Sequence, residues 1–150
     1  MEGGEAAQGN SGVVAAVAGG QGTVGYADLS QAGDLGVARI GVGEQFVAPT
    51  PEAAAAVVEG SEPLPGRGPY DFALELGRTT AEYRVMLVSY RLGCIRYEDQ
   101  LTVDLVADFM SHVVSEEGQA AAAEVAGSVP ISAALRAQAR TAIDAISTTT

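Results

Sequence analysis

Asp104, Asp108 and His112 recur at intervals of four residues, the spacing that stacks side chains in one column along a helix. Two carboxylates and an imidazole in a column are a donor set that a divalent metal accepts. The column falls opposite an apolar stripe, however, so the plainer expectation is a solvated face on which Asp108 and His112 pair weakly. His112 is the only histidine, so a Ser-His-Asp or Cys-His mechanism would have to run through it. No neighbour in sequence supports one. Glu116 and Glu117 read as acids between two helical segments rather than as a general acid–base pair. The single cysteine, Cys94, cannot form a disulfide within the chain and fixes no redox compartment; it is expected as a small buried apolar residue, the alternative being half of a bridge to something outside this segment. No catalytic residue, metal site or cofactor is assigned from these residues.

A second candidate lies near the start, in GNSGVVAAVAGGQGTVGY. Gly20, Gly22 and Gly25 fall at the G-x-G-x-x-G spacing that cradles a pyrophosphate when it follows a strand and opens a helix. Here the predicted order is reversed, a helix before the glycines and a strand after them. No acidic residue ends a plausible second strand about twenty residues on. The glycines are therefore expected to turn the chain and to allow close packing.

The elements that would position these residues follow from composition and periodicity. The chain has 150 residues, 47% apolar and 18% charged, which suits one globular domain. Nineteen acids against eight basic residues, all arginine, give a formal charge of −11. With its arginines scattered, such a chain is not expected to bind nucleic acid or anionic membranes. Each arginine could hold an anion bidentately, but no spacing singles one out. No apolar run reaches the roughly 18–20 residues that span a bilayer, and MEGGEAAQGN lacks the pattern of a secretory signal.

Met1–Gln8 reads as a flexible lead-in. Asn10 is the expected N-cap of a short helix over Ser11–Ala18, closed by Gly19 and Gly20. Thr23–Tyr26 is expected as a short buried strand, Ala27–Ala32 as a helical turn and Val37–Val42 as a strand. Thr50-Pro51-Glu52 starts a helix that ends at Gly60. SEPLPGRGPYD is an irregular connection, and YRVMLVSYRLGCI, Tyr83–Ile95, carries the strongest strand signal. From Leu101 a helix is expected, with Leu105, Val106, Phe109, Met110, Val113 and Val114 as its apolar stripe. A segment over Gln119–Ala126 ends at Gly127. A last helix from Ser132 to Ile146 turns Leu135, Ala139, Ala142, Ile143 and Ile146 inward, before a frayed TTT tail. The fold class is α/β.

Three ordered blocks carry a resemblance. GNSGVVAAVAGGQGTVGYADLS resembles the G-N-x-G-V-x-x-A-V and G-x-I-G-Y segments of the phosphate-binding proteins of bacterial phosphate ABC transporters. YRVMLVSYRLGCIRYED resembles that family's Y-P-I-V-x-x-T-Y-x-L-V strand. DFMSHVVSEEGQAAAAEVAGSVPIS is similar to its stretch containing E-G-Q and V-P-L-P, through Glu117-Gly118-Gln119 and Val129-Pro130-Ile131. Arg84, Ser128 and Ser132 depart from the family's proline, tyrosine and second proline.

The resemblance implies a two-lobed periplasmic-binding-protein fold of type II, with a mixed sheet flanked by helices, of which this chain would be the C-terminal portion. Residues 1–82 would then complete part of one lobe. Residues 83–150 would supply the strand returning through the hinge and the helices packed on the other lobe. The implied function is that of the phosphate-binding component of an ABC importer, partnered by the transporter permease. It would lie outside the cytoplasm, in the periplasm or on the cell surface as a membrane-anchored lipoprotein. The family's phosphate ligands lie upstream of the matched blocks, and Ser11-Gly12-Val13 only mimics its S-G-T segment, so no phosphate-binding residue is expected here. The rival expectation is an association-dependent piece that needs a separate N-terminal chain, or self-pairing, to fold or function.

Overall fold

Short polar side chains set most of the helix starts. In the computed structural model, which describes residues 4–77, 83 and 85–149, four helices open on a side-chain oxygen that accepts a hydrogen bond from the third helical N–H. Thr50 does so for α2 (Pro51–Glu59), Asp99 for α3 (Gln100–Val114), Ser115 for α4 (Glu116–Ala126) and Ser132 for α5 (Ala133–Asp144). Pro51 occupies the first position of α2, where its missing N–H costs nothing. Gly127 ends α4 in the left-handed region at φ 63°, the conformation a helix C-terminus asks of glycine. The chain is a mixed α/β protein whose strands are short.

Its contacts divide it into two units, Met1–Arg39 and Ile40–Thr150. In the first, α1 spans Gly9–Gly19 and is followed by a 3-10 turn over Leu29–Gln31, inside the expected helical turn. Asn10 is not the cap of α1. It lies within the helix, where its amide donates to the Asp28 carboxylate and its Oδ1 accepts from the Asp28 N–H at 3.3 Å. Asn10 thus ties α1 to the start of the 3-10 turn instead of ending the helix. The buried strand expected over Thr23–Tyr26 does not form: these residues are exposed, Val24 at 90%. What holds Thr23 is its hydroxyl, which donates to the Val17 carbonyl at 2.9 Å and so closes the last turn of α1.

In the second unit, β1 (Ile40–Val42) and β2 (Gln45–Val47) form an antiparallel hairpin, so the strand expected over Val37–Val42 is confined to its second half. After α2, β3 (Glu62–Pro63) pairs antiparallel with β4 (Leu74–Glu75). The irregular connection thereby becomes a closed loop, extended by the bond from Leu64 N–H to the Ala73 carbonyl. β5 (Arg96–Tyr97) runs parallel to β6 (Ser147–Thr148), and α3 packs on α4, α5, β5 and β6. The TTT tail is therefore not frayed where it is described: Thr148 lies in β6, and Thr149 N–H reaches the Tyr97 carbonyl at 2.8 Å.

The strand expected over Tyr83–Ile95 is the largest correction. Residues 85–94 carry no helix or strand; Arg84 lies outside the described residues, as do Met1–Gly3 and Thr150. Strand propensity describes how well a side chain fits a pleated surface. It cannot supply the neighbouring backbone that a ladder requires, and among the described residues no strand pairs with this segment.

The interior is correspondingly small. Ala53, Val57 and Val103 are the buried apolar residues among those described, with Val57 at 1% exposure. The chain exposes 10727 Å². Two separate, well-packed bodies of the units' lengths would together expose about 8,300 Å². Along α3 the expected stripe splits accordingly. Val106, Met110, Val113 and Val114 are half-buried, whereas Leu105 and Phe109 stay exposed. The inward positions expected on α5, Leu135, Ala139, Ala142 and Ile143, are all half-buried, as is Ile146 beyond its end.

Candidate functional site

The α3–α4 junction is the most tightly specified place in the chain. Ser115 Oγ accepts from Gly118 N–H at 3.0 Å and donates to the His112 carbonyl at 2.8 Å, so one hydroxyl ends α3 and starts α4. A Cβ at Gly118 would sit 2.1 Å from the His112 carbonyl oxygen, so only glycine fits there. The next residue, Gln119, donates from Nε2 to the Val113 carbonyl at 2.7 Å. Its Oε1 accepts from the Ile131 N–H at 2.9 Å. One side chain thus joins α3, α4 and the Val129-Pro130-Ile131 segment that leads into α5. Arg136, 15% exposed, completes the junction from α5. Its Nε donates to the Val114 carbonyl at 2.9 Å and its Nη1 meets Glu116 at 3.0 Å.

Glu116 and Glu117 therefore do not lie between helices. They form the first turn of α4, where negative charge complements the unpaired N–H groups. Glu116 is largely solvated, so its ion pair with Arg136 adds little beyond orientation. Sequence reasoning did not single out Arg136. Its spacing carries no signal, since its partners lie about twenty residues away and meet only when α5 folds back.

The column of Asp104, Asp108 and His112 lies on the exposed face of α3. Asp104 Oδ1 accepts from Gln100 Nε2 at 2.7 Å. Asp108 and His112 form no ion pair; those among the described residues join Arg67 to Asp71 and Arg136 to Glu116. A four-residue spacing brings two side chains within reach but does not make solvated groups close. The described residues include no group of three or more histidine, cysteine or acidic side chains that could hold a metal ion. Cys94 is exposed rather than buried, because Ile95 and the Arg96–Tyr97 strand, not Cys94, begin the packed region; its N–H donates to the Tyr97 hydroxyl at 2.9 Å.

One carboxyl is electrostatically distinctive. The backbone N–H of Thr102, and then its hydroxyl, hold the Asp99 carboxyl below its ordinary range. This is capping chemistry: the carboxylate accepts two hydrogen bonds at the start of α3.

The glycine series near the start serves packing. A Cβ at Gly25 would come within 2.7 Å of methyl groups of both Val13 and Val17, so glycine lets the chain lie against α1. Gly22 turns the chain at φ 70°. The helix precedes the glycines, so no helix N-terminus faces them as a pyrophosphate loop requires.

A cleft of about 340 Å³ lies in the second unit between the 63–74 loop and α5. Pro63, Pro69, Phe72 and Leu74 face Leu135, Gln138 and Thr141 across it, with Asp71 at its edge. Asp71 is paired with Arg67 at 3.4 Å, so the loop's cation is already engaged. Such a lining suits an apolar group and offers no unspent cation to an anion. Among the described residues no helix is long and apolar enough to cross a membrane. Compared with family models, with curated proteins and with solved structures, the chain finds no match.

Proposed function

We propose that this chain is the C-terminal segment of a phosphate-binding receptor that serves an ABC importer, acting outside the cytoplasm with the transporter permease as its partner. Its role is binding and delivery, not catalysis. The observation that carries the reading is the Gln119 bridge. Glu117-Gly118-Gln119 and Val129-Pro130-Ile131 are two parts of one stretch of the resemblance, and Gln119 joins them through one hydrogen bond to Ile131. Motif residues that hold one another in place support reading the stretch as one structural unit, as the resemblance treats it. The close approach of Gly25 to Val13 and Val17 supports the first block in the same way.

In this reading the phosphate ligands belong to the polypeptide that completes the lobes, and closure about the hinge encloses the anion. Two measurements test it. Deleting the encoding gene in its host should lower phosphate uptake at micromolar external phosphate; unchanged uptake would overturn the transport role. Inorganic phosphate titrated into the isolated chain should give no calorimetric binding signal in the micromolar range. Micromolar binding would overturn the placement of the ligands elsewhere.

A second reading, dependence on association, is favoured by a separate observation. The exposed surface exceeds what two well-packed bodies would show, and exposed apolar side chains include Phe46, Leu87, Leu92, Leu105 and Phe109. Both readings hold together if the missing cover is the rest of the receptor. Light scattering on the purified chain tests the second, since a stable, well-behaved monomer would contradict it.

A further inference from the structure

The segment Val85–Leu92 combines three properties that point to one kind of partner. From Val85 to Ser89 its side chains alternate: Met86 and Val88 are half-buried, while Val85, Leu87 and Ser89 are exposed, Leu87 at 73%; Tyr90, Arg91 and Leu92 are all exposed. That period of two is how a strand presents its two faces. Its backbone is unspent: from Val85 through Ser89, no main-chain N–H or carbonyl is hydrogen-bonded within the described residues. Its charge is inverted relative to the rest. From Tyr83 to Tyr97 the sequence has no Asp or Glu and holds three of the eight arginines, Arg84, Arg91 and Arg96, in a chain of formal charge −11. Arg91 and Arg96 are exposed. Arg91 donates to Ser89 Oγ and the Tyr90 carbonyl, and Arg96 reaches the Ala145 carbonyl. Neither meets a carboxylate among the described residues.

From these we infer that Val85–Leu92 is a docking edge for an extended strand of another polypeptide, one that carries carboxylates beside its apolar residues. A neighbouring strand is the partner whose hydrogen-bonding groups match a row of unspent N–H and carbonyl groups. It would also cover Val85 and Leu87 on the outward face. A second copy fits less well, because Val85–Leu92 laid against itself brings its one arginine, Arg91, to a segment that itself holds no acid. The inference rests on the association reading above and is independent of phosphate.

The test uses the full chain and a synthetic probe. The probe is a peptide of about ten residues alternating Val and Thr, with Glu at both ends; a Lys-ended version and a backbone N-methylated version are its counterparts. Amide hydrogen exchange at Val85–Ser89 is followed as each is added. The Glu-ended peptide should slow exchange there by tenfold or more at saturation, and the Lys-ended one should bind about tenfold more weakly. The N-methylated peptide, which lacks the donors for a ladder, should give no protection. Arg91→Glu should weaken the preference for the Glu-ended peptide, and Leu87→Pro should abolish protection by removing an N–H. Unchanged exchange with the Glu-ended peptide overturns the inference, as does equal binding of the Lys-ended one. Protection that grows with chain concentration alone overturns it in favour of self-pairing. None of these outcomes bears on uptake in the gene deletion, so each proposal can fail without the other.

Discussion

The helices from Gln100 to Asp144 and the stretch from Val85 to Leu92 are both rich in apolar residues, yet only one of them is tied down. In the helices, every start has a side-chain cap, and the α3–α4 junction is cross-linked by Ser115, Gln119 and Arg136. Along Val85–Ser89 the main chain bonds to nothing among the described residues, and three of the five side chains face water. The difference lies in where the partners come from. A helix satisfies its own backbone within four residues, whereas a strand must borrow a neighbour. Apolar content alone therefore does not decide which region is stable.

Four substitutions and one titration would sharpen or break this contrast. The largest effect is expected for Gly118→Ala, because the added methyl meets the His112 carbonyl and the α3–α4 junction must open. A loss of about 3 kcal/mol is expected, read as a lower denaturant midpoint. Val103→Ala removes the buried contact of α3 and should cost about 2 kcal/mol in the same measurement. Gln119→Ala leaves the Ile131 N–H and the Val113 carbonyl without their partner, at a cost of about 1.5 kcal/mol. If Gln119→Ala proved neutral, the junction would not be what holds the helices together.

The Asp99 cap should show itself in pH. Its folded carboxyl titrates below the ordinary value, so its contribution is present above the unfolded carboxylate range and is lost as pH falls through the folded value. Stability should therefore decline towards strongly acid pH, and Asp99→Asn should flatten that part of the profile in circular dichroism melts. The smallest effect is expected for Leu87→Ala. An exposed side chain in an unpaired segment should shift stability by less than about 0.5 kcal/mol. A loss comparable to Val103→Ala would show that the segment is packed, and the contrast would fall.

Much of the helical half was legible in the sequence because its signals are local. Thr50-Pro51-Glu52, Gly127 and Ser132 each act within one helical turn, and each sits where the sequence placed it. Asn10 misled for a related reason. It is a good capping residue, but a carboxylate eighteen residues away competed for its amide. The strands were the least legible. Tyr83–Ile95 had the propensity and lacked the partner, while Ser147–Thr148, at the head of an unpromising threonine run, pairs because α5 returns it to Arg96–Tyr97. The solvated face of α3 was foreseen, but the weak Asp108–His112 pair was not realised. The Arg136 contacts had no sequence signal, since they depend on how α5 folds back on the α3–α4 junction.

The parallel pairing of β5 with β6 has a bearing on how the chain is made. Arg96–Tyr97 and Ser147–Thr148 are separated by roughly fifty residues, so at ordinary elongation rates β5 is synthesised roughly 3–10 s before its partner. During that interval α3 can coil, but the ladder that brackets α3, α4 and α5 cannot close. Completion of this unit therefore waits for synthesis of Ser147–Thr148, and ribosome-stalled chains halted before Ser147 are where nascent aggregation and chaperone capture should concentrate.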